Sequence, residues 1–201
     1  EESPYKTAKA YYDAIKAGTP NQFKMGGTGS KQEDQIITVM LEKAAGKKMT
    51  YIPFKGGGDV AVQLVGKHID STVNNPIEAE SHWRAGKLRA LCVFDKDKLP
   101  YNDKVTATQS WGDLPPCASA GIPVEYVMLR GIFMPPGVTP DQVAFYTDLI
   151  KKLRELPEWK DFMDKGAFNN TALSGEAFVD WLGKNEQMHR VLMREAGFLA
   201  Q

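Results

Sequence analysis

No stretch of these 201 residues is apolar enough to cross a bilayer as a helix. The most continuous run, 88–94, falls far below the ~18 residues a span needs. Cysteine is nearly missing. Cys92 and Cys117 are too few for a disulfide scaffold, and they read first as two small buried apolar side chains. If they pair, the closed loop would contribute ~3 kcal/mol. Histidine is scarce, and His68, His82 and His189 are scattered, with no H-x-x-x-H or C-x-x-C spacing. No metal site is expected, and no cofactor. An excess of one charge sign is also lacking. Lys plus Arg is 25 and Asp plus Glu is 25, so no global field draws the chain to nucleic acid or an acidic membrane. The chain does not open on an Arg/Lys-led apolar segment, so no signal peptide is expected, and Glu-Glu-Ser-Pro reads like a cut end.

What is there is ordinary globular composition. Hydrophobic residues make up 42% and charged residues 25%, which excludes wholesale disorder. At a prior of roughly 150 residues per domain, the chain is one large domain or two small ones. Strand-like and helix-like segments alternate. Ala8, Tyr11, Tyr12 and Ile15 form one stripe of a helix over 7–17. A short strand over 22–25 runs into Gly26-Gly27-Thr28-Gly29-Ser30, then a helix over 32–45 ended by Gly46. Further strands are expected at 49–54, 68–73, 88–94, 126–134 and 168–173. Further helices are expected at 60–65, 76–83, 108–111, 140–156, from 157, and 174–196. Repeated βα units predict an α/β fold with a mainly parallel sheet flanked by helices, whose ligands sit on loops at the carboxyl ends of strands.

Three such loops stand out. In Gly26-Gly27-Thr28-Gly29-Ser30, glycines let a ligand approach the backbone, and the helix start offers unpaired N–H groups to an anion. The dinucleotide pattern fails because position 32 is Gln, and no P-loop Gly-Lys-Ser/Thr follows. A tight βα turn with Ser30 as helix cap explains the same residues. Lys55-Gly56-Gly57-Gly58-Asp59 is either an anion cradle or a flexible turn capped by Asp59. Asn74-Asn75-Pro76 suits a carboxylate or hydroxyl ligand, or is simply a turn. No G-x-S-x-G elbow is present, and Glu33-Asp34 reads as solvated surface.

With these loops in view, the sequence resembles the substrate-binding receptors of tripartite tricarboxylate transporters, the Bug family. Tyr51-Ile52-Pro53-Phe54-Lys55-Gly56-Gly57-Gly58 looks like the family's Y-V-P-Y-K-G-G-G, and Gly66-Lys67-His68-Ile69-Asp70 like its G-G-x-V-D. Asn74-Asn75-Pro76 falls where members have D-N-x-P. Ala85-Gly86-Lys87-Leu88-Arg89-Ala90-Leu91 matches A-G-K-L-R-A-L, and 131–140 resembles G-L-F-A-P-A-G-T-P with one extra residue. The family's N-terminal stretch, with its P-G-G loop, has no counterpart, so the chain looks like a member lacking that part of the first domain.

The resemblance implies a two-lobed, periplasmic-binding-protein-like (Venus flytrap) architecture. Residues 1–125 would form the ligand-binding lobe, the family's second domain. Residues 126–201 would form the hinge strand and the helices returning to the incomplete first domain. It implies a non-enzymatic, periplasmic protein that captures a small organic di- or tricarboxylate and hands it to membrane permease subunits. Ligand-facing candidates carried over by position are Gly27, Thr28, Gly29, Ser30 and Asn74. Arg130 stands where members often have an aromatic, and is either a hinge-surface arginine or a bidentate carboxylate clamp. Without a covering segment, Val143, Leu149, Leu153, Phe162, Trp181 and Leu192 are expected to be exposed, which favours a dimer or a retained N-terminal fragment. An enzyme acting on a small carboxylate or phosphate metabolite, and a ligand-dependent sensor module, are the alternatives.

Overall fold

The structure, a computed structural model, describes residues 2–199. Three parallel strands form the sheet, in the order β2-β1-β3: β1 is Lys24–Thr28, β2 Thr50–Phe54 and β3 Ser71–Thr72. Seven helices accompany them among the described residues: α1 Ala8–Ala17, α2 Glu33–Ala45, α3 Gly57–Val65, α4 Pro76–Arg84, α5 Pro140–Glu155, α6 Pro157–Gly166 and α7 Gly175–Glu195.

The sequence pattern explains the layers. Ala8, Tyr11, Tyr12 and Ile15 recur at helical spacing, and all four are buried with Phe23, Met25, Ile37 and Leu41 in one core. Successive strand residues point to opposite faces. Met25 therefore meets the α1 and α2 side, while Gly26 faces α3. A Cβ on Gly26 would stand 3.1 Å from Val60 Cγ1 and would overlap Ile69, so glycine is what lets α3 lie flat on the sheet. A second core gathers Trp83, Leu99, Val105, Trp111 and Leu114, with the two indoles 4.5 Å apart.

Several expectations need correction. β1 extends through Thr28, because Gly26, Gly27 and Thr28 pair with Ile52, Pro53 and Phe54 across the ladder. Residues 88–94 form no strand; only Val93 bridges to Pro116. Residues 126–134 and 168–173 also lie outside the sheet, because the structure offers them no ladder partner. The expected helix over 108–111 is a single 3-10 turn, Trp111–Asp113. The two cysteines are bonded to each other, and Cys117 is fully buried. Val143, Leu149, Leu153 and Phe162 are exposed as expected. Leu192, however, is buried where α7 returns to α2, beside the Lys43–Glu195 ion pair of 2.7 Å, and Trp181 is half-buried.

Helix α5 buries none of its residues, so its ends matter more than its face. Thr139 and Gln142 cap it reciprocally. The Gln142 N–H donates to Thr139 Oγ1 at 3.3 Å, and the Thr139 N–H donates to Gln142 Oε1 at 2.8 Å. Thr139→Ala should therefore destabilise α5 by about 1 kcal/mol. Faster amide exchange in its first turns, with no change in β1, is the expected reading.

Candidate functional site

Residues 26–30 form the carboxyl end of β1, through Thr28, and the turn that leads into α2. Four hydrogen bonds hold its shape. The Gly29 N–H donates to Phe54 O at 2.9 Å, which keeps the loop against the end of β2. The Tyr51 hydroxyl donates to Gly29 O at 2.9 Å and to Thr28 O at 3.3 Å. The Lys31 N–H donates to Gln35 Oε1 at 2.6 Å. Gly29 turns the chain at φ +62°, a left-handed conformation that glycine adopts without the usual Cβ penalty, and a Cβ there would overlap the Gln32 side chain. Ser30 is exposed and is not the cap. The capping position is Gln32, whose side chain makes no capping bond.

A carboxylate of the chain's own already lies against this loop. Thr28 N–H donates to Asp34 Oδ2 at 2.7 Å. Asp34 and Glu33 fill the first turn of α2, where the helix dipole favours negative charge. Asp34 is therefore not the solvated surface residue its sequence suggested. Burial pushes its carboxyl up to about 6, the Thr28 N–H acts against that, and the Glu78 and Glu33 carboxylates push further in the raising direction. Burial likewise raises the Tyr51 hydroxyl, with Asp34 and Glu33 adding to it, so Tyr51 stays a donor.

Asn74 follows β3, next to β1 in the sheet. Its Nδ2 donates to Gly57 O at 3.1 Å and to Glu78 Oε2 at 3.2 Å. Asn75 completes this arrangement: its N–H and its Nδ2 both donate to the Glu78 carboxylate, at 2.9 and 3.1 Å. The donors of Asn74 are thus engaged, while its Oδ1 is buried without a partner among the described residues. Arg130 lies elsewhere. Its guanidinium sits over the Phe168 ring at 5.4 Å, and none of its described contacts reaches Thr28 or Asn74.

The structure thus places Gly27 and Thr28 at the end of β1, Gly29 and Ser30 in the turn that follows, and Asn74 just past the end of the neighbouring β3. Sequence reasoning missed Asp34, Tyr51 and Glu78. The acidic first turn of α2 was the available signal for Asp34. Tyr126 and His189 were missed as well. The Tyr126 hydroxyl lies 3.0 Å from His189 Nε2, while His189 Nδ1 lies 2.7 Å from Asn185 O. Nδ1 is then the donor to that carbonyl, and Nε2 accepts from Tyr126. Burial raises the Tyr126 hydroxyl to about 12, with Glu33 and Asp34 adding to it, so α7 and residue 126 border the same acidic corner. Beside β2, a cavity of about 590 Å³ opens between Pro53, Phe54, Lys55, Asp59, Val62 and Gln63, at the second glycine loop. Among the described residues, no three His, Cys, Asp or Glu side chains are grouped to hold a metal ion, and no helix is long and apolar enough to cross a membrane.

Known proteins resemble this chain in sequence and in fold. A curated Cupriavidus necator protein, described as a UPF0065 protein in the gbd 5′ region, is 21% identical over 196 residues, covering 98% of this chain and 57% of its own length. A Polaromonas TctC solute binding protein, solved without ligand, superposes with a TM-score of 0.75 at 22% identity, over 96% of this chain and 63% of that one. An R. palustris protein solved with adipate gives 0.78 at 15% identity, over 98% and 63%. The chain thus spans about three-fifths of the length of these relatives, and it shares the α/β fold of periplasmic binding proteins. Residues 1–197 match the family described as tripartite tricarboxylate transporter family receptor, and to that family the chain belongs.

Proposed function

We propose that the protein is a periplasmic, non-enzymatic solute receptor. It captures a small organic di- or tricarboxylate and delivers it to the permease subunits of a tripartite tricarboxylate-type transporter. Residues 1–125 act as the ligand-binding lobe, and 126–201 as the hinge segment and returning helices. The observation that carries this reading is the Thr28 N–H held by the Asp34 carboxylate at 2.7 Å, because the loop that meets the α2 N-terminus accommodates a carboxylate on backbone donors. The first-turn N–H groups of α2 have no partner within the helix and are the donors for the acid, with the Thr28 and Ser30 hydroxyls beside them. The adipate in the R. palustris structure supports the ligand class. The Cys92–Cys117 disulfide supports an oxidising compartment.

Calorimetry with adipate, succinate and citrate tests the reading. Saturable binding of at least one acid is expected. Thr28→Val keeps the strand and the N–H but removes the hydroxyl, and should weaken that binding about tenfold. No saturable binding by any acid in the panel, or the same affinity for the variant, would overturn the assignment to this loop.

A further inference from the structure

The donors assigned to the acid already have a carboxyl among them. The N–H groups of Glu33, Asp34 and Gln35 open the first turn of α2. From that turn the Asp34 side chain folds back onto the end of β1. Its Oδ2 accepts the Thr28 N–H at 2.7 Å, and a Cβ on Gly27 would overlap Asp34 Cβ. The Thr28 hydroxyl is the other donor close to it. Asp34 is half-buried, so solvent still reaches it.

Among the described residues, the charged groups that act most strongly on Asp34 are carboxylates. Glu78 faces it from α4, and Glu33 precedes it on α2. Tyr51 on β2 and Tyr126 border it with hydroxyls that burial keeps protonated. Glu33, Asp34 and Glu78 enter no ion pair among the described residues. The ammonium of Lys31, three residues before Asp34, donates to Phe198 O at 3.1 Å, beyond the end of α7. A bound acid would bring one more carboxylate to these donors. Carboxylates that crowd onto a few N–H groups do not all stay ionised. Glu78 already accepts from three N–H donors of Asn74 and Asn75, whereas Asp34 accepts one backbone N–H. Burial and the acidic neighbours already hold the Asp34 carboxyl up at about 6, so it is the group nearest to taking a proton.

We propose that Asp34 is a ligand-binding residue whose carboxyl is protonated in the complex and donates to a carboxylate oxygen of the acid. Binding therefore takes a proton from solvent. The proposal rests on the reading of residues 26–30 and the start of α2 as the acid site. Above about pH 6 the free protein has lost this proton and the complex keeps it, so affinity falls as the pH rises.

Calorimetry of the full chain with adipate and with succinate, at pH 7.5 in two buffers of different ionisation enthalpy, counts the protons taken up. More than about half a proton per bound acid is expected, with affinity about tenfold lower at pH 8.5 than at pH 7, where both acids are fully ionised. Asp34→Asn keeps a donor toward the acid but does not titrate, so the uptake should vanish and the affinity should hold across that range. His189→Gln should keep the uptake, because His189 Nε2 is already engaged by the Tyr126 hydroxyl at 3.0 Å. Binding without proton uptake would overturn this proposal and leave the acid site standing. Uptake that survives in Asp34→Asn, or that is lost in His189→Gln, would overturn it as well. No binding of either acid, nor of citrate, would overturn the site itself and this proposal with it.

Discussion

Reduction of the Cys92–Cys117 disulfide is expected to lower the unfolding free energy by about 3 kcal/mol. The bond closes a loop with a sequence separation of 25, and the constraint it places on the unfolded chain scales with that length. The native side of the argument points the same way. The segment from 88 to 125 carries a single 3-10 turn and isolated bridges, so few ladder bonds hold it. Near the bond, the Val93 N–H donates to Pro115 O at 3.0 Å, and the Cys117 N–H donates to Val93 O at 2.8 Å. Cys117 is fully buried beside Ile122 and Val124, so losing the crosslink loosens a wall of the main core. Urea midpoints with and without reductant, checked against Cys92→Ala/Cys117→Ala, read the effect. Equal midpoints would mean that packing alone holds the segment.

Asp34 should make the protein less stable as the pH rises. Its carboxyl titrates from 3.8 in the unfolded chain to about 6 in the folded one. Below about pH 4 both states are protonated, and nothing is lost. Between 4 and 6 the unfolded state ionises first, and stability falls. Above 6 the loss is complete, at about 2 kcal/mol after allowance for solvent screening. Asp34→Asn keeps an acceptor for the Thr28 N–H and removes the charge. It should therefore raise stability by about 2 kcal/mol at pH 8 and change little at pH 4. Urea unfolding at both values separates this from a packing effect, which would appear equally at each.

How much of this was legible follows from where the signal sat. The stripe Ala8, Tyr11, Tyr12, Ile15 and the Thr139-Pro140 start are local patterns, and the structure keeps both. The run 88–94 has strand composition, yet pairing needs a neighbour with free ladder groups, and sequence carries no information on that. The same holds for Leu192, whose burial depends on α7 returning to α2. At the site, Gly29 was readable because its turn has few alternatives. Asp34 was not. An acidic pair at a helix start looks the same whether it faces solvent or folds back onto a strand end 6 residues earlier. The cysteine pair was undecidable for a similar reason, since two buried thiols and one disulfide leave the same spacing.

The adjacency of β1 and β3 acts as a ruler. Neighbouring strands stand ~4.8 Å apart, so the ends leading to Thr28 and Asn74 are separated by little more than the width of one carboxyl group. In the site proposed above, both positions would stand at one end of a bound acid. Two positions at one end do not measure length, so under that proposal the choice between a short and a long acid falls to whatever stands opposite them.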